Sequence, residues 1–393
     1  MSYKKTTIGA HCSVTSSKRF HASERTKEGV PFYCSKEIIQ KVKGEDVTEC
    51  DYISEDAYKS VKEKYGVPQV GDLLITTRGT YGVPYIYKDY DKFYFADGNL
   101  TWLKDFDDEL DVEYLYYWIN SYEGQKKIDA IAKGTAQKAV PIATLKQIEI
   151  EIPDISTQKK VVCILKAYDE LIENNQKQIK LLEEAAQRLY KEWFVDLRFP
   201  GYEGTEIVDG VPEGWRYGSI TDISICFDKS RKPLSSIERE NQAKIYPYYG
   251  AASLMDYVEK YIFDGVYLLF GEDGTVITSD GTPMLQYVWG KFWVNNHAHV
   301  FQGKEEYSTE FLYMLCKHMK VSDVVTGVAQ PKISQGRLNE KKILLPDKDL
   351  AAKYSKSTEP IFKRIRRLND EVLMCKEARD RLLPKLMSGE IEV

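Results

Sequence analysis

The stretch that decides the fold is STQKKVVCILKAYDELIENNQKQIKLLEEAAQRLYKEWFVDLRF, residues Ser156 to Phe199. Its apolar residues recur in alternating steps of four and three, as they do along the seam of a coiled coil. The seam positions are Val161, Leu165, Tyr168, Ile172, Asn175, Ile179, Leu182, Ala186, Leu189 and Trp193. We therefore predict one helix, roughly 50 Å long from Val161 to Trp193, that packs on a partner helix.

The ends of this helix can be predicted from its flanking residues. Ser156 or Thr157 can cap its start, and Phe199-Pro200-Gly201 ends it, because proline lacks an amide hydrogen and disfavours helix in the preceding residue. Asn175 is the polar exception in the seam, and we expect it to set the register of the helix pair.

The chain also contains an internal repeat with an offset of 193 residues. The segment GTAQKAVPIATLKQIEIEIP at 134–153 aligns without gaps with GVAQPKISQGRLNEKKILLP at 327–346, and six of the twenty positions are identical. The same offset continues into the helix, where Ile172 corresponds to Ile365. A constant register over this length indicates two copies of one structural unit.

The second copy ends in its own long helix, predicted from about Ala351 to Met387. Its seam consists of Ile361, Ile365, Leu368, Val372, Cys375, Leu382 and Leu386, with Arg379 interrupting the stripe. Two helices of matching length most simply pack on each other, here in antiparallel orientation. The residues expected to pair them are Ile172, Asn175, Ile179, Leu182, Ile365, Leu368 and Val372.

Outside the helices, the sequence indicates two similar α/β blocks. Apolar runs at Leu73–Thr76 and Val266–Phe270 predict strands, and the patterns at Val112–Ile131 and Thr309–Lys320 predict helices. We predict an α+β fold in which two α/β domains, related by a pseudo-two-fold internal repeat, are separated by two long antiparallel helices. The expected boundaries are 1–155 for the first domain, 156–200 for the central helix, 201–348 for the second domain and 349–393 for the C-terminal helix.

The composition describes a globular chain of 393 residues with a net charge of −5. This average conceals a basic start, because residues 1–43 carry nine Lys and Arg against three acidic residues. Such a local surplus is compatible with a nucleic-acid partner. The seven cysteines form no CxxC pair, and the sequence shows neither a membrane span nor an apolar signal segment, so we expect a reduced, cytoplasmic protein.

Signs of catalysis are scarce. The sequence lacks GxxxxGK[ST], GxGxxG, HExxH and GxSxG, and also the Asn/Asp-Pro-Pro-aromatic tetrad with which amino-methyltransferases hold a target amine. His297 and His299 come nearest to a metal pair. Because no third ligand is apparent, the favoured interpretation is that they are packing or surface histidines. Glu272 and Asp273 can act as acid and base, although a turn or an acceptor for a cytosine amine is favoured. We expect no catalytic residue, metal or cofactor in this chain.

Several loops combine residues suited to nucleic acid. The loop 77–82, TRGTYG, offers an Arg that can grip guanine or phosphate and a Tyr that can stack, whereas a plain turn with a surface Arg is the alternative. Gln137 and Gln330, in the repeated GxAQ loops, can contact adenine or cap the next strand, and both interpretations stay open. Basic clusters near the start of both copies indicate phosphate contact. The candidate contacts are Lys18, Arg19, Arg78, Gly79, Thr80, Tyr81, Gln137, Lys138, Arg231, Lys232, Tyr248, Tyr249, Glu272, Asp273, Gln330 and Lys332.

Taken together, these stretches resemble the specificity subunits of type I restriction-modification systems. The resemblance covers nearly the whole chain and rests on LYKEWFVDLRFPG at 189–201, VPEGW at 211–215, YPYYGA at 246–251, residues 261–274, NHA at 296–298 and RDRLLPKLMSGEI at 379–391. It implies two target-recognition domains separated by two long antiparallel helices. The first block departs from the pattern because it starts near Ile8 without the Glu-Gly-Trp lead of the second.

The resemblance also implies a function. In that family the subunit performs no chemistry, each domain reads one half of a split double-stranded DNA site, and the helices set the spacer and dock two methyltransferase (modification) subunits. S-adenosylmethionine, ATP and Mg are then expected on the modification and restriction subunits. A helix of roughly 50 Å further predicts half-sites about one DNA turn apart. The alternatives are a coiled-coil structural spacer whose domains bind protein, and a self-sufficient nuclease or methyltransferase.

Overall fold

The computed structural model describes residues 3–134, 138–327 and 329–393. The chain divides into two units, of which unit 1 consists of Met1–Ile172 and Leu373–Val393, and unit 2 of Glu173–Val372. Each unit thus contains one block of strands and short helices, together with a part of each long helix. Within the described ranges, every helix is too short or too polar to span a lipid bilayer.

Unit 1 begins with mixed strands and short helices. The strands are β1 (Lys4–Thr7), β2 (Ser13–Thr15), β3 (Val30–Tyr33), β4 (Asp51–Ile53), β5 (Leu73–Thr76), β6 (Pro84–Ile86), β7 (Tyr94–Phe95), β8 (Leu100–Lys104) and β9 (Glu149–Ile152). The helices are α1 (Ile8–His11), α2 (Ser35–Val42), α3 (Glu55–Lys64), α4 (Val112–Asn120), α5 (Tyr122–Ile131) and α6 (Ile142–Lys146), followed by the long helix α7 (Ile155–Tyr190). Hydrogen bonds order the strands as β2-β8-β5-β6, β4-β3-β7 and β1-β9.

Strand β5 is the buried centre of the main sheet in unit 1. All of its residues are buried, as the continuous apolar run LLIT predicts, and it pairs antiparallel with β6 and β8. The single helix predicted over 112–131 is instead two helices, α4 and α5. Ser121 separates them, because its backbone leaves the helical conformation and its hydroxyl accepts a hydrogen bond from the Gly124 amide at 3.1 Å.

Unit 2 repeats this plan, and the central strands of its main sheet are longer. Its strands are β10 (Ile207–Val208), β11 (Val211–Pro212), β12 (Arg216–Gly218), β13 (Ser224–Cys226), β14 (Tyr246–Tyr249), β15 (Leu254–Val258), β16 (Phe263–Gly271), β17 (Leu285–Val294), β18 (Ala298–Gly303) and β19 (Ile343–Leu345). Its helices are α8 (Ile220–Ile223), α9 (Ser236–Glu240), α10 (Thr309–His318), α11 (Gln335–Glu340) and the long α12 (Lys348–Ser388). The main sheet has the order β13-β18-β16-β17-β14-β15.

Both long helices start at a Pro-Asp pair, and the two pairs are 193 residues apart. In α7 the carboxylate of Asp154 accepts from the Thr157 amide at 3.1 Å, and in α12 that of Asp347 accepts from the Leu350 amide at 2.9 Å. A carboxylate at this position satisfies free amide groups and complements the helix dipole. The predicted caps, Ser156 and Thr157, are therefore wrong, since the aspartate before them fills that role.

The end of α7 also differs from the prediction. Regular α-helix stops at Tyr190, and a π-helical turn over Lys191–Val195 continues it, so Trp193 lies beyond the α-helix. The chain then reaches Phe199, which is buried beside Trp215 with ring centres 5.4 Å apart. The aromatic residues near 193 thus anchor the helix end rather than extend its seam.

Within each unit, the parts of α7 and α12 pack antiparallel. In unit 1, Val161 near the start of α7 belongs to the same buried apolar cluster as Leu383 and Leu386 near the end of α12. In unit 2, the Tyr354 hydroxyl near the start of α12 donates to the Ala186 carbonyl near the end of α7 at 3.1 Å. The predicted α+β fold with two long antiparallel helices is confirmed.

The predicted pairing residues differ in burial. Ile172, Asn175, Ile365, Leu368 and Val372 are buried. Partly buried positions at the same seam are Ile179 and Leu182. The second seam is shifted by one residue at two positions, because Phe362 and Leu383 are buried where Ile361 and Leu382 were predicted. An α-helix has 3.6 residues per turn, so a strict 3.5-residue stripe drifts around its surface.

The polar residues of the two seams are satisfied by partners on the other helix. Asn175 is 2% exposed, and its Nδ2 donates to Oε2 of Glu371 at 3.3 Å. Arg379, which interrupts the predicted stripe, donates from Nη1 to Oδ1 of Asp169 at 2.5 Å. Each polar interruption in one helix is thus matched by a carboxylate of the other, as a specified register requires.

Candidate nucleic-acid interface

In unit 1, the loop 77–82 connects β5 to β6 and is held by backbone contacts on two sides. The Thr77 amide donates to the Asn99 carbonyl at 2.7 Å, and the Val140 amide donates to the Thr77 carbonyl at 2.9 Å. The next residue, Arg78, forms a β-bridge with Ala139. Neighbouring segments therefore position the start of the loop.

Arg78 is exposed near the start of this loop. Its guanidinium makes no hydrogen bond or ion pair with any other residue that the structure describes. Gly79 and Thr80 are exposed beside it, and Lys138 is exposed on the facing segment. Tyr81 is partly buried against the apolar cluster of unit 1. The structure thus brings these five predicted contacts together; Gln137 lies outside the described residues.

The basic pair Lys18 and Arg19 joins the same face of unit 1. Arg19 Nε donates to Oδ2 of Asp97 at 2.7 Å, and the Thr77 hydroxyl donates to the carbonyl of the residue after Asp97 at 3.4 Å. The Lys18 amide donates to the Tyr94 hydroxyl at 2.7 Å. Both basic side chains are exposed, and Asp97, which binds Arg19, adjoins the residue that Thr77 contacts.

Unit 2 has the same loop with different side chains. The Glu272 amide donates to the His297 carbonyl at 2.8 Å, and the Ile333 amide donates to the Glu272 carbonyl at 2.8 Å. The next residue, Asp273, forms a β-bridge with Lys332. These contacts reproduce those of the Arg78 loop one by one, so Asp273 stands where unit 1 has Arg78.

The internal repeat accounts for this match. Ala139 and Lys332 differ by 193 positions, as do Val140 and Ile333. Two copies of one ancestral backbone therefore present the same loop, while the side chains on it have diverged.

An ionic cluster supports the loop of unit 2 from behind. Arg231 Nη1 donates to Oε2 of Glu272 and to the Ala298 carbonyl, each at 2.7 Å, and its Nη2 lies 3.3 Å from Oδ2 of Asp228. Lys332 Nζ lies 3.2 Å from Oε1 of Glu272. Only 13% of the Arg231 side chain and 14% of that of Glu272 are exposed. Both were predicted as nucleic-acid contacts; their charges are instead used within the cluster.

His299 completes the cluster. It is 1% exposed, with Nδ1 2.6 Å from Oδ2 of Asp228 and Nε2 2.9 Å from the Ile333 carbonyl. Burial alone would raise the pKa of Asp228, but hydrogen bonds from His299 and the Val300 amide lower it below its ordinary value. Burial would also raise the pKa of Glu272, but charged partners, first among them the hydrogen-bonded Arg231, lower it below its ordinary value.

The same residues bear on the metal question. Asp228, Glu272 and His299 each place one ligand atom within 4.8 Å of the others, which is close enough for a shared ion. Arg231 already binds both carboxylates, and a cation would have to displace its guanidinium. We therefore interpret the cluster as a salt-bridge network. Only one of the two histidines considered as a metal pair belongs to this network, since His299 is buried within it and His297 is exposed.

Among the remaining candidates, Tyr248 does not fit. It is 1% exposed on β14, and its hydroxyl accepts from the Leu234 amide at 3.0 Å, so neither face of its ring is free for a base. Tyr249 is partly buried beside Phe292, with ring centres 5.9 Å apart. Lys232 and Gln330 are exposed. The prediction for Tyr248 is wrong because its strand turns that ring into the sheet.

Two segments, residues 3–184 and 212–356, match the family model described as the type I restriction modification DNA specificity domain. The chain belongs to this family. One matched segment contains the Arg78 loop and the other the Asp273 loop, so each copy of the specificity domain carries one.

Relatives of the specificity domain family span most of the chain. It is 28% identical over 306 residues to the type I restriction enzyme MjaIX specificity subunit of Methanocaldococcus jannaschii, covering 72% of this chain and 69% of that protein. It is 23% identical over 365 residues to the putative MjaX specificity subunit of the same organism, covering 88% and 84%. The crystal structure of a type I S subunit from M. genitalium shares the fold, with a TM-score of 0.62 at 19% identity over 98% of this chain and 96% of that one.

Sequence reasoning missed the residues that support the two specificity-domain loops. Asp97, Asn99 and Asp228 act through contacts with residues 22 to 78 positions away, which no local motif signals. Asn99 and His297 hold the two loops through equivalent carbonyls, but they lie 198 residues apart, so the repeat offset of 193 does not align them.

Proposed function

We propose that this chain is the DNA sequence-specificity subunit of a type I restriction-modification complex, and that each unit reads one half of a bipartite site in double-stranded DNA. The observation that carries the proposal is the match of the DNA specificity domain to both copies of the repeat. Each copy presents an exposed loop on the same backbone framework. The subunit is non-catalytic, in keeping with its family.

Unit 1 offers the clearer set of DNA contacts. The guanidinium of Arg78 is free of partners among the described residues and can donate two hydrogen bonds to the O6 and N7 atoms of guanine. The nearby exposed cations Lys18, Arg19 and Lys138 suit phosphate oxygens, which position a protein on the duplex without reading its sequence. Unit 2 offers the exposed side chains of Lys232 and Gln330 and the partly buried ring of Tyr249. Lys332 is paired with Glu272, and Asp273 is paired with His297.

The proposal extends to partners and cofactors. Two methyltransferase subunits and the restriction subunits would assemble with this chain, and they would bind S-adenosylmethionine, ATP and Mg. The methyltransferase subunits would methylate an adenine in the DNA site, in the cytoplasm. The two relatives support this assignment, since both are named as specificity subunits of type I restriction enzymes.

The long helices have a proposed role in spacing. Helices α7 and α12 would set the number of unread base pairs between the half-sites and would dock the two modification subunits on their outer faces. The buried contact between Asn175 and Glu371 supports a defined register, since a polar residue in a seam penalises slipped pairings. Replacing Asn175 with Leu should therefore broaden the preferred spacer.

The experiment that tests the function is a binding titration of the purified chain, with its modification subunits, against duplexes that carry or lack the site found by methylation mapping. Neutralised phosphates release counterions, so affinity for the site should fall steeply as salt increases. Lys138→Ala should reduce the slope of log K against log salt by about one. A matched control is Lys126→Ala, which removes another exposed lysine of unit 1 and should leave the slope unchanged.

Salt-insensitive behaviour with no retention of any duplex would overturn the proposal and favour the alternative, a coiled-coil spacer whose domains bind protein. Methylation or cleavage of DNA by the chain alone would instead favour a self-sufficient enzyme.

A further inference from the structure

The two reading loops carry side chains of opposite character at one position. Arg78 and Asp273 each follow the residue whose amide and carbonyl fasten the loop, and each forms a β-bridge with repeat-equivalent residues, Ala139 and Lys332. A guanidinium has only donors, and a carboxylate has only acceptors. The half-sites read by units 1 and 2 should therefore differ in hydrogen-bond polarity at this position.

In unit 2, however, Asp273 is not the outermost group. Only 18% of its side chain is exposed, and its Oδ1 makes a short hydrogen bond with Nδ1 of His297. The imidazole of His297 is 46% exposed and lies beyond it. The backbone of His297 is fixed as well, because its amide donates to Oδ1 of Asn295 at 2.8 Å and its carbonyl accepts from the Glu272 amide. The exposed group beside the loop of unit 2 is thus a histidine whose ring and backbone are both held by hydrogen bonds.

The contact with Asp273 decides which ring nitrogen carries the proton. A carboxylate can only accept, so Nδ1 of His297 must be the donor. In the neutral ring, Nε2 is then an acceptor. No residue among those described hydrogen-bonds Nε2. A protein acceptor that enters the major groove can accept a hydrogen bond from the N6 amino group of adenine or the N4 amino group of cytosine.

Other groups near this loop are already used. The cations of Arg231 and Lys332 are bound to Glu272, and the imidazole of His299 is buried between Asp228 and the Ile333 carbonyl. Unit 2 therefore presents no free guanidinium comparable to that of Arg78 among these residues, and the exposed acceptor of His297 is the group left to face a base.

We propose that His297 is a specificity-determining residue of unit 2, whose Nε2 accepts a hydrogen bond from the amino group of an adenine or a cytosine, with Asp273 as its positioning residue. In unit 1 the donor to guanine is Arg78, whose equivalent in unit 2 is Asp273, the residue that holds His297. This inference rests on the proposed DNA-reading function. The ligand it names is one amino-bearing base in one half-site.

The test is methylation-site mapping with the assembled complex of this chain and its modification subunits, acting on a library with every position of the site randomised. His297→Gln keeps an acceptor and should preserve the base preference. His297→Arg converts the acceptor into a donor and should move the preference at one position of one half-site from adenine or cytosine to guanine, by about tenfold. Lys260→Ala, an exposed residue of the same unit, is the control and should change nothing.

The positioning role has its own measurement. Asp273→Asn frees the tautomer of His297, so discrimination at the same single position should relax by about tenfold while all other positions keep their preference. Asp273→Glu restores an acceptor for Nδ1 and should restore discrimination. A residue needed only for folding would lower methylation at every site alike.

The outcomes separate this inference from the proposed function. A bipartite site in the wild type with identical base preferences in His297→Arg would overturn the inference and leave the function standing. If His297→Arg abolishes methylation, His297→Ala decides: relaxed preference at one position supports the inference, and unchanged specificity overturns it. If the wild-type complex has no site that depends on this chain, the proposed function itself has failed.

Discussion

At the level of single residues, Arg78 combines exposure, a supported backbone and a free guanidinium. We expect Arg78→Ala to lower affinity for duplexes with the correct unit 1 half-site by about 1–3 kcal/mol, since a bidentate contact with guanine is lost. Duplexes in which that base is already wrong should lose little. The measurement is a titration of matched and single-substituted duplexes.

Lys126→Ala is the control for this change, because it removes an exposed cation of unit 1 that lies outside the loop. An equal loss for every duplex in Arg78→Ala would contradict base reading and show that Arg78 contacts phosphate.

The residue scale also shows where prediction from sequence ends. The chemistry of the TRGTYG loop was predictable, because its residue types suit DNA and strand β5 could be recognised from its apolar run. The burial of individual side chains was not predictable, since Tyr248 and Arg231 belong to motifs that look equally suited to DNA. Only the sheet and the ionic cluster show that the Tyr248 ring is covered and that the Arg231 guanidinium is bound to Glu272.

At the level of elements, Arg379 joins the two long helices inside unit 1. Its guanidinium binds Asp169, which also accepts from the Tyr117 hydroxyl at 2.6 Å. We expect Arg379→Ala to lower the free energy of unfolding by about 1.5–3 kcal/mol, the usual contribution of a hydrogen bond to a charged group. Urea unfolding measures this change.

The same helix supplies the control. Arg381 is exposed on α12 two residues away, and Arg381→Ala should change stability by less than about 0.5 kcal/mol. Equal effects of the two substitutions would show that the pairing of the helices does not depend on the contact with Asp169.

The ionic cluster behind the unit 2 loop makes a prediction about pH. The folded-state pKa values of Asp228 and Glu272 lie below their ordinary values of 3.8 and 4.5. A lowered pKa contributes stability that is present above the ordinary value and is lost as the pH falls through the folded-state value. Stability should therefore decline below about pH 4.5, by at most about 1.4 kcal/mol per pH unit for each group.

Asp228→Asn removes one of these groups and should make the decline shallower, as measured by urea unfolding between pH 3 and pH 7. Glu259→Gln removes an exposed carboxyl group of unit 2 and serves as the control. Acid dependence that is the same in Asp228→Asn and in the wild type would refute the role given to the cluster.

The elements were predictable to different degrees. Helix periodicity and the repeat identified both long helices and their pairing, because seam positions recur over many turns. The starts of these helices were not predictable, since Asp154 lies just outside the periodic stretch and its capping role depends on one local hydrogen bond. The one-residue shift to Phe362 and Leu383 follows from helical drift, which a strict heptad pattern does not include.

For the whole molecule, the helices are proposed to set the distance between the half-sites. Inserting one heptad into each helix at the unit boundary, after Ile172 and after Val372, preserves the contacts inside each unit. The insertion adds about 10 Å. We expect the preferred spacer to lengthen by about three base pairs, since successive pairs are about 3.4 Å apart.

Methylation-site mapping measures the spacer. The same seven residues inserted in the connector after Gly204 are the control and should leave it unchanged. A spacer that does not respond to the paired helix insertions would contradict the proposed spacing role.

The most direct test of the central claim is methylation-site mapping of genomic DNA from cells that carry this chain with its modification partner, compared with cells that carry the partner alone. A DNA-specificity subunit with two reading units predicts methylated adenines in one bipartite motif, with two defined halves around an unspecified spacer, and no such motif when this chain is absent. A continuous motif, or a methylation pattern that is the same with and without the chain, would contradict the claim.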